Sequence, residues 1–160
     1  MNNILNHYRY CRICKSKNTT TVLKLKDTPL EDQFIEFPIE QPTYPLELAL
    51  CKDCGYLYLP YLIDPEVSYS EYIYVSSVTV GLRNHYDSYA REIIHDYNIS
   101  NGSLVVDLGS NDGSMLTSFK KLGMKIVGIE PATSIATYAN GIGIPTINNF
   151  FTNKIASEIL

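Results

Sequence analysis

Four cysteines form two C-x-x-C pairs that lie far apart along the chain. Cys11 and Cys14 occur in "CRICK", and Cys51 and Cys54 occur in "CKDCG". Two thiolates three residues apart can bind one Zn²⁺, and two such pairs complete a closed tetrahedral S4 site of the structural kind. Buried thiol pairs or a redox C-x-x-C are the alternatives, but no thioredoxin-like strand and helix surrounds either pair. We therefore predict one structural Zn²⁺ held by all four cysteines.

The stretch "VVDLGSNDGSM", residues 105–115, has the form of a ligand-binding loop after a buried strand. Its order is Asp107-x-Gly109-x-Asn111-x-Gly113, which does not match the G-x-G-x-x-G of a dinucleotide site. A carboxylate at the strand end is unfavourable beside a pyrophosphate but favourable beside an ammonium group. S-adenosylmethionine carries such a group on its amino-acid end. The two glycines would let the backbone approach this cofactor closely, with Ser110 and Asn111 available for polar contacts.

A second carboxylate, Glu130, ends the next predicted strand, "KIVGIE". An acid in this position of a nucleotide-binding α/β fold can accept both ribose hydroxyls. Strand-end acids are common, so the alternative is an ordinary α/β domain with a tight turn. The acids, the glycines and the strand order together favour an adenosyl cofactor. The predicted cofactor-binding residues are Asp107, Gly109, Ser110, Asn111, Gly113 and Glu130.

The elements that must position these residues follow from the hydrophobic pattern. Apolar residues recur at helical spacing over 82–97, and "SLVVDL" and "KIVGIE" are short apolar runs typical of buried parallel strands. The order continues as strand, helix, strand, helix, which predicts an α/β doubly wound sheet with its ligand at the carboxyl ends of the strands. Before it, β-rich segments at 19–25 and 44–51 adjoin the cysteine pairs and predict a small zinc-binding β module. The acidic, proline-containing stretch 27–42 between them is predicted to be a loop.

Composition and charge exclude several classes of protein. The chain has 160 residues, a formal net charge of −4 and no cluster of Lys and Arg, so no nucleic-acid partner is expected. No apolar run reaches the roughly 18 residues of a membrane span, and the amino terminus lacks the apolar core of a signal peptide. We therefore expect a cytoplasmic protein with no membrane partner.

Several motifs occur together in one order behind the two cysteine pairs: "YVSSVTVGLRNHYDSYAREI", "GSNDG", "GIEPA" and "NNFFT". In this combination the chain resembles the zinc-containing, S-adenosylmethionine-dependent sugar C-methyltransferases that act on nucleotide-linked keto-deoxysugars. The resemblance implies a zinc-binding module at 1–78, including a tyrosine-rich substrate segment, and the first half of a Rossmann-like class I methyltransferase sheet at 79–160. It also implies that the sugar nucleotide contacts "YSEYIYVSS". The candidate substrate residues are Tyr72, Tyr74, Ser76 and Ser77, although tyrosines so crowded also suit packing alone.

Members of this family have further strands, and their catalytic base and much of the sugar pocket come from later segments. We therefore expect this chain to be the amino-terminal part of such an enzyme, and we assign no catalytic residue. An incomplete sheet has an open edge and an uncovered apolar face, which favours self-association or pairing with a missing C-terminal half. The alternative is a non-catalytic remnant of the zinc module and cofactor fold that acts in protein association.

Overall fold

The computed structural model describes residues 4–31 and 35–159, and the chain forms two compact units, Met1–Ser68 and Tyr69–Leu160. Residues 69–78 thus group with the second unit, whereas the sequence suggested a boundary after residue 78. The predicted loop at 27–42 has an isolated antiparallel bridge between Thr28 and Tyr44. Its residues 32–34 lie outside the described part.

The first unit consists of two small antiparallel sheets. One pairs β1 (Leu5–His7) with β5 (Tyr61–Ile63), and the other has the order β2 (Thr19–Lys24), β3 (Glu47–Cys51), β4 (Leu57–Tyr58). The strands predicted at 19–25 and 44–51 are confirmed as β2 and β3. The remaining strands have two or three residues each, too few for an alternating pattern to be visible in the sequence.

Little apolar surface is buried in the first unit. The described residues that are buried in this unit are Cys11, Ala49, Cys51, Tyr58 and Pro60. A module with so small a core generally needs a metal or disulfides for stability. We therefore expect metal binding by the four cysteines to contribute to the folding free energy of this unit.

The second unit is an α/β unit built on a three-stranded parallel sheet with the order β6, β7, β8. A short helix, α1 (Pro65–Tyr69), includes the last residues of the first unit, and a 3₁₀ turn at Ser76–Val78 precedes the sheet. The remaining elements are α2 (Leu82–Asp96), β6 (Leu104–Leu108), α3 (Ser114–Lys121), β7 (Lys125–Ile129), α4 (Thr133–Gly141), β8 (Thr146–Ile147) and α5 (Asn153–Ile159). The expected α/β fold, with a zinc-type module before a partial Rossmann-like sheet, is confirmed.

The two faces of the sheet are covered unequally. Val105 and Ile126 face two clusters of buried residues, Ala90, Phe119 and Met124 in one and Leu116, Ala139 and Ile144 in the other. On the opposite face, Leu104, Val106 and Leu108 of β6 remain exposed beside α5. Helices thus lie on both faces, and β6 is an edge strand with an apolar surface.

Candidate metal centre and cofactor site

The four cysteines of the first unit converge on one point. Their sulfur atoms all lie within 4.8 Å of one another. Cys11 Sγ is 3.6 Å from Cys54 Sγ, and Cys14 Sγ is 3.6 Å from Cys51 Sγ. In a zinc tetrahedron with Zn–S bonds of about 2.3 Å, neighbouring sulfur atoms are about 3.8 Å apart. The spacing thus fits a ZnS4 centre closely, with one ligand of each pair buried and the other exposed.

The two cysteine turns have the same backbone form although their sequences differ. The N–H of Lys15 donates to the carbonyl of Cys11, and the N–H of Gly55 donates to that of Cys51, both at 2.9 Å. Gly55 has a φ of 76°, and Lys15 adopts a φ of 64° at the equivalent position. "CRICK" therefore forms the same turn as "CKDCG" without a glycine, at the cost of a left-handed non-glycine residue.

A polar contact ties the two turns together. The carboxylate of Asp53 accepts hydrogen bonds from Ser16 Oγ and, at 2.6 Å, from Asn18 Nδ2. These donors, Ser16 first and then Asn18, hold the pKa of Asp53 below its usual value. This contact, between residues far apart in sequence, fixes the relative position of the two pairs of ligands.

In the second unit, the loop after β6 is held against the end of β7. The N–H groups of Gly109 and Ser110 both donate to the carbonyl of Ile129, at 2.8 and 3.1 Å. Gly113 then begins α3 with a φ of 75°, and a Cβ there would lie 2.6 Å from Ile144 Cγ2. Glycine is therefore required at 113 for both conformation and space.

Glu130 is anchored through both of its carboxylate oxygens. Its side chain is buried, with one oxygen accepting the N–H of Asn111 at 2.8 Å and the other accepting the N–H of Ala132 at 2.9 Å. A carboxylate has about four acceptor positions, so two remain for further donors. The geometry suits an acceptor for a pair of hydroxyl groups.

A cavity of about 330 Å³ lies over the carboxyl ends of the strands of this unit. Three of the predicted cofactor residues line it, namely Gly109, Asn111 and Glu130. Of the predicted substrate residues, Tyr72 lines it as well. The other lining residues are Tyr69, Ile129, Pro131, Asn149, Phe150 and Phe151.

The last of these residues were missed as site residues in the sequence. "NNFFT" is one of the motifs behind the family resemblance, and it directly follows β8. Because the carboxyl ends of parallel strands meet at one edge of a sheet, residues after β8 must approach Glu130 at the end of β7. The strand order therefore indicates that Asn149, Phe150 and Phe151 lie near Glu130, and the structure shows that they line the cavity.

The remaining predicted cofactor residues, Asp107, Ser110 and Gly113, do not line the cavity. Ser110 is buried with its Oγ against Gly128 and without a hydrogen-bond partner in the described part of the chain, so its hydroxyl points into the fold. Asp107 is half-buried, and burial, with the nearby charge of Glu130, raises its pKa above the usual value. Its carboxylate therefore carries an unfavourable charge that a cationic group would relieve.

The substrate-segment residues are bonded to the loop after β6 instead of forming a separate surface. Asn111 Oδ1 accepts the N–H of Ser76 at 2.9 Å, and Asn111 Nδ2 donates to the carbonyl of Tyr74 at 2.9 Å. Asp112 accepts the N–H of Ser77 at 2.9 Å. Tyr69 and Tyr74 are exposed, and the ring of Tyr72 makes edge contacts with both, at centroid distances of 5.9 and 6.3 Å.

No histidine takes part in either site among the described residues. His7 stacks on Tyr61 in the first unit, with ring centroids 4.3 Å apart. His85 and His95 lie exposed on α2, and His95 contacts Asp96 at 2.9 Å. None of them is placed to act as a general base.

Two comparisons bear on these sites. Residues 11–69 match the family model Methyltransf_13, described as a putative zinc binding domain. Over 162 residues the chain is 29% identical to the C-methyltransferase NovU of Streptomyces niveus, which covers 99% of this chain. The chain is similar to the N-terminal part of a zinc-containing C-methyltransferase. It spans 39% of the length of this relative.

In the described part of the chain, every helix is too short or too polar to span a bilayer.

Proposed function

We propose that this chain provides the zinc module and the S-adenosylmethionine site of a C-methyltransferase whose substrate is a nucleotide-linked keto-deoxysugar. The observation that carries the proposal is Glu130, a buried carboxylate that two backbone N–H groups orient at the wall of a cavity beside a glycine loop. The similarity to C-methyltransferase NovU supports the class of reaction.

In this proposal Zn²⁺ is structural and is bound by the four cysteines. The set of four thiolates leaves no open position for substrate, and such sites stabilise folds rather than activate ligands. With so few buried side chains in the first unit, metal binding would supply much of its folding free energy.

The cofactor would lie along the loop after β6. Glu130 would accept the ribose hydroxyls, and Gly109 and Asn111 would contact the cofactor through the backbone. Asp107, whose charge has no hydrogen-bond donor among the described residues, would attract the ammonium group. The cavity supports the role of Glu130 directly, whereas the role of Asp107 depends on electrostatics alone because Asp107 lies outside the lining.

When bound, S-adenosylmethionine supplies an electrophilic methyl group. The contribution of this chain is to orient that group and, through Tyr72, Tyr74, Ser76 and Ser77, to hold the sugar beside it. A carbon nucleophile next to the sugar ketone requires the loss of a proton. No described side chain is assigned as the base for that step.

Calorimetric titration of the zinc-loaded chain with S-adenosylmethionine tests the proposal. Glu130→Gln should weaken binding by about 10- to 100-fold, the effect of losing charge-assisted hydrogen bonds. Asp107→Asn should also weaken binding, yet it should not lower the stability of the free chain at pH 7. The reason is that a carboxylate with a raised pKa is unfavourable in its charged form.

Asp96→Asn is the matched control, because Asp96 is exposed on α2 and is not among the residues that line the cavity. It should leave the affinity unchanged. Absence of binding to the folded wild-type chain, or equal affinities for the wild type and Glu130→Gln, would refute the cofactor assignment.

A second candidate function is non-catalytic association with another copy of the chain. The observation that favours it is the exposed apolar face of Leu104, Val106 and Leu108 on an edge strand, because such surfaces pair readily. Light scattering distinguishes the cases: Val106→Lys should abolish a dimer if this face forms it, and a wild-type monomer would exclude this function.

A further inference from the structure

Asn111 is the residue through which the cofactor loop and the segment at 74–77 are joined. Its backbone N–H donates to Glu130, while its side chain bonds to the backbone of Ser76 and Tyr74. One residue thus contacts the acid of the cofactor cavity on one side and the tyrosine-rich segment on the other.

The backbone of Asn111 is in the left-handed conformation, which asparagine adopts more readily than most non-glycine residues. Its φ is 49°, the same value as that of Asn98. This conformation brings the N–H of Asn111 to Glu130 and its amide to Ser76 at the same time. A change in the contact with Glu130 therefore alters the geometry of the contact with Ser76, and the reverse also holds.

We propose that Asn111 is a positioning residue that makes the order of the segment 74–77 depend on occupancy of the cofactor cavity. The inference rests on the function proposed above. A ligand that bonds to Glu130 and lies against Asn111 restrains the loop, and the hydrogen bonds of Asn111 pass that restraint to Tyr74 and Ser76. Because coupling between sites is reciprocal, ordering of the segment also strengthens cofactor binding.

Asp112 supports the same connection from the following position. Its buried carboxylate accepts the N–H of Ser77 and, at 3.0 Å, the N–H of Ser114 at the start of α3. Movement of the loop relative to α3 is thereby limited. Hydrogen exchange at the N–H groups of Ser76 and Ser77 therefore measures how persistently the segment 74–77 is bonded to Asn111 and Asp112.

Amide hydrogen exchange measured by NMR, with S-adenosylhomocysteine as the probe ligand, tests the inference. In the wild-type chain, a saturating amount of ligand should slow exchange at Ser76 and Ser77 by about threefold to tenfold, as expected for hydrogen bonds made more persistent. Asn111→Gly keeps the left-handed backbone but removes the side-chain contacts. In this variant, Ser76 should exchange faster without ligand, and ligand should no longer slow it.

Asn98→Gly is the matched control, because Asn98 has the same φ of 49° at the end of α2 and contacts neither Glu130 nor the segment at 74–77. It should leave the response of Ser76 and Ser77 intact. If calorimetry shows no binding of the ligand to the wild type, the proposed function and this inference both fail. If the ligand binds but exchange at both amides is unchanged, or Asn111→Gly responds as the wild type does, only the inference is overturned.

Discussion

Replacing Gly113 by alanine should destabilise the second unit far more than the same change at Gly102. Both glycines have positive φ, 75° and 77°, so both alanine variants incur about 1–2 kcal/mol of backbone strain. At Gly102 an added Cβ meets nothing within 4 Å. At Gly113 it would lie 2.6 Å from Ile144 Cγ2 and 3.0 Å from Ile144 Cβ, and overpacking of this kind costs about 1–3 kcal/mol more.

The expected losses in free energy of unfolding are therefore about 2–5 kcal/mol for Gly113→Ala and about 1–2 kcal/mol for Gly102→Ala. The smaller unfolded-state entropy of alanine acts alike in both and cancels in the comparison. Urea unfolding of the zinc-loaded chain, followed by signals of the second unit, measures both values. Equal losses would refute the reasoning, because they would show that Ile144 yields without cost and that only the backbone conformation matters.

Three further predictions concern the metal and charged groups. Removal of zinc by a chelator should unfold the first unit while the NMR signals of the second unit persist; retention of the first unit would contradict a structural metal. Lys15→Gly should raise the stability of the zinc module by about 0.5–1 kcal/mol in urea, since it relieves a left-handed lysine; an unchanged midpoint would show that the strain is compensated. Burial by itself would raise the pKa of Asp112, but the hydrogen bonds from Ser114 and Ser77 outweigh it and lower the pKa. Its stabilising contribution should thus be complete above about pH 4 and be lost as the pH falls through the lowered pKa. In Asp112→Asn, the free energy of unfolding should therefore fall less steeply with decreasing pH than in the wild type.

Much of the fold was predictable because its signals are local. The apolar runs of β6 and β7, the helical spacing of α2 and the paired cysteines depend on nearby residues, and each appears in the structure at its predicted place. Glu130 was predictable for a related reason, because the end of a buried strand is fixed by the strand itself. The two- and three-residue strands were not predictable, since pairing with a distant strand is what creates them.

What only the tertiary structure decided is the direction of the side chains around the loop. Ser110 and Asn111 are adjacent polar residues, yet one hydroxyl is buried against Gly128 and the other side chain reaches the segment at 74–77. The register of β6 on β7 and the left-handed conformation at Asn111 determine this difference. The sequence by itself determined the candidate residues for a metal site and a cofactor site, through spacing and periodicity. The fold decided which of them meet, because hydrogen bonds between distant segments depend on how those segments are packed.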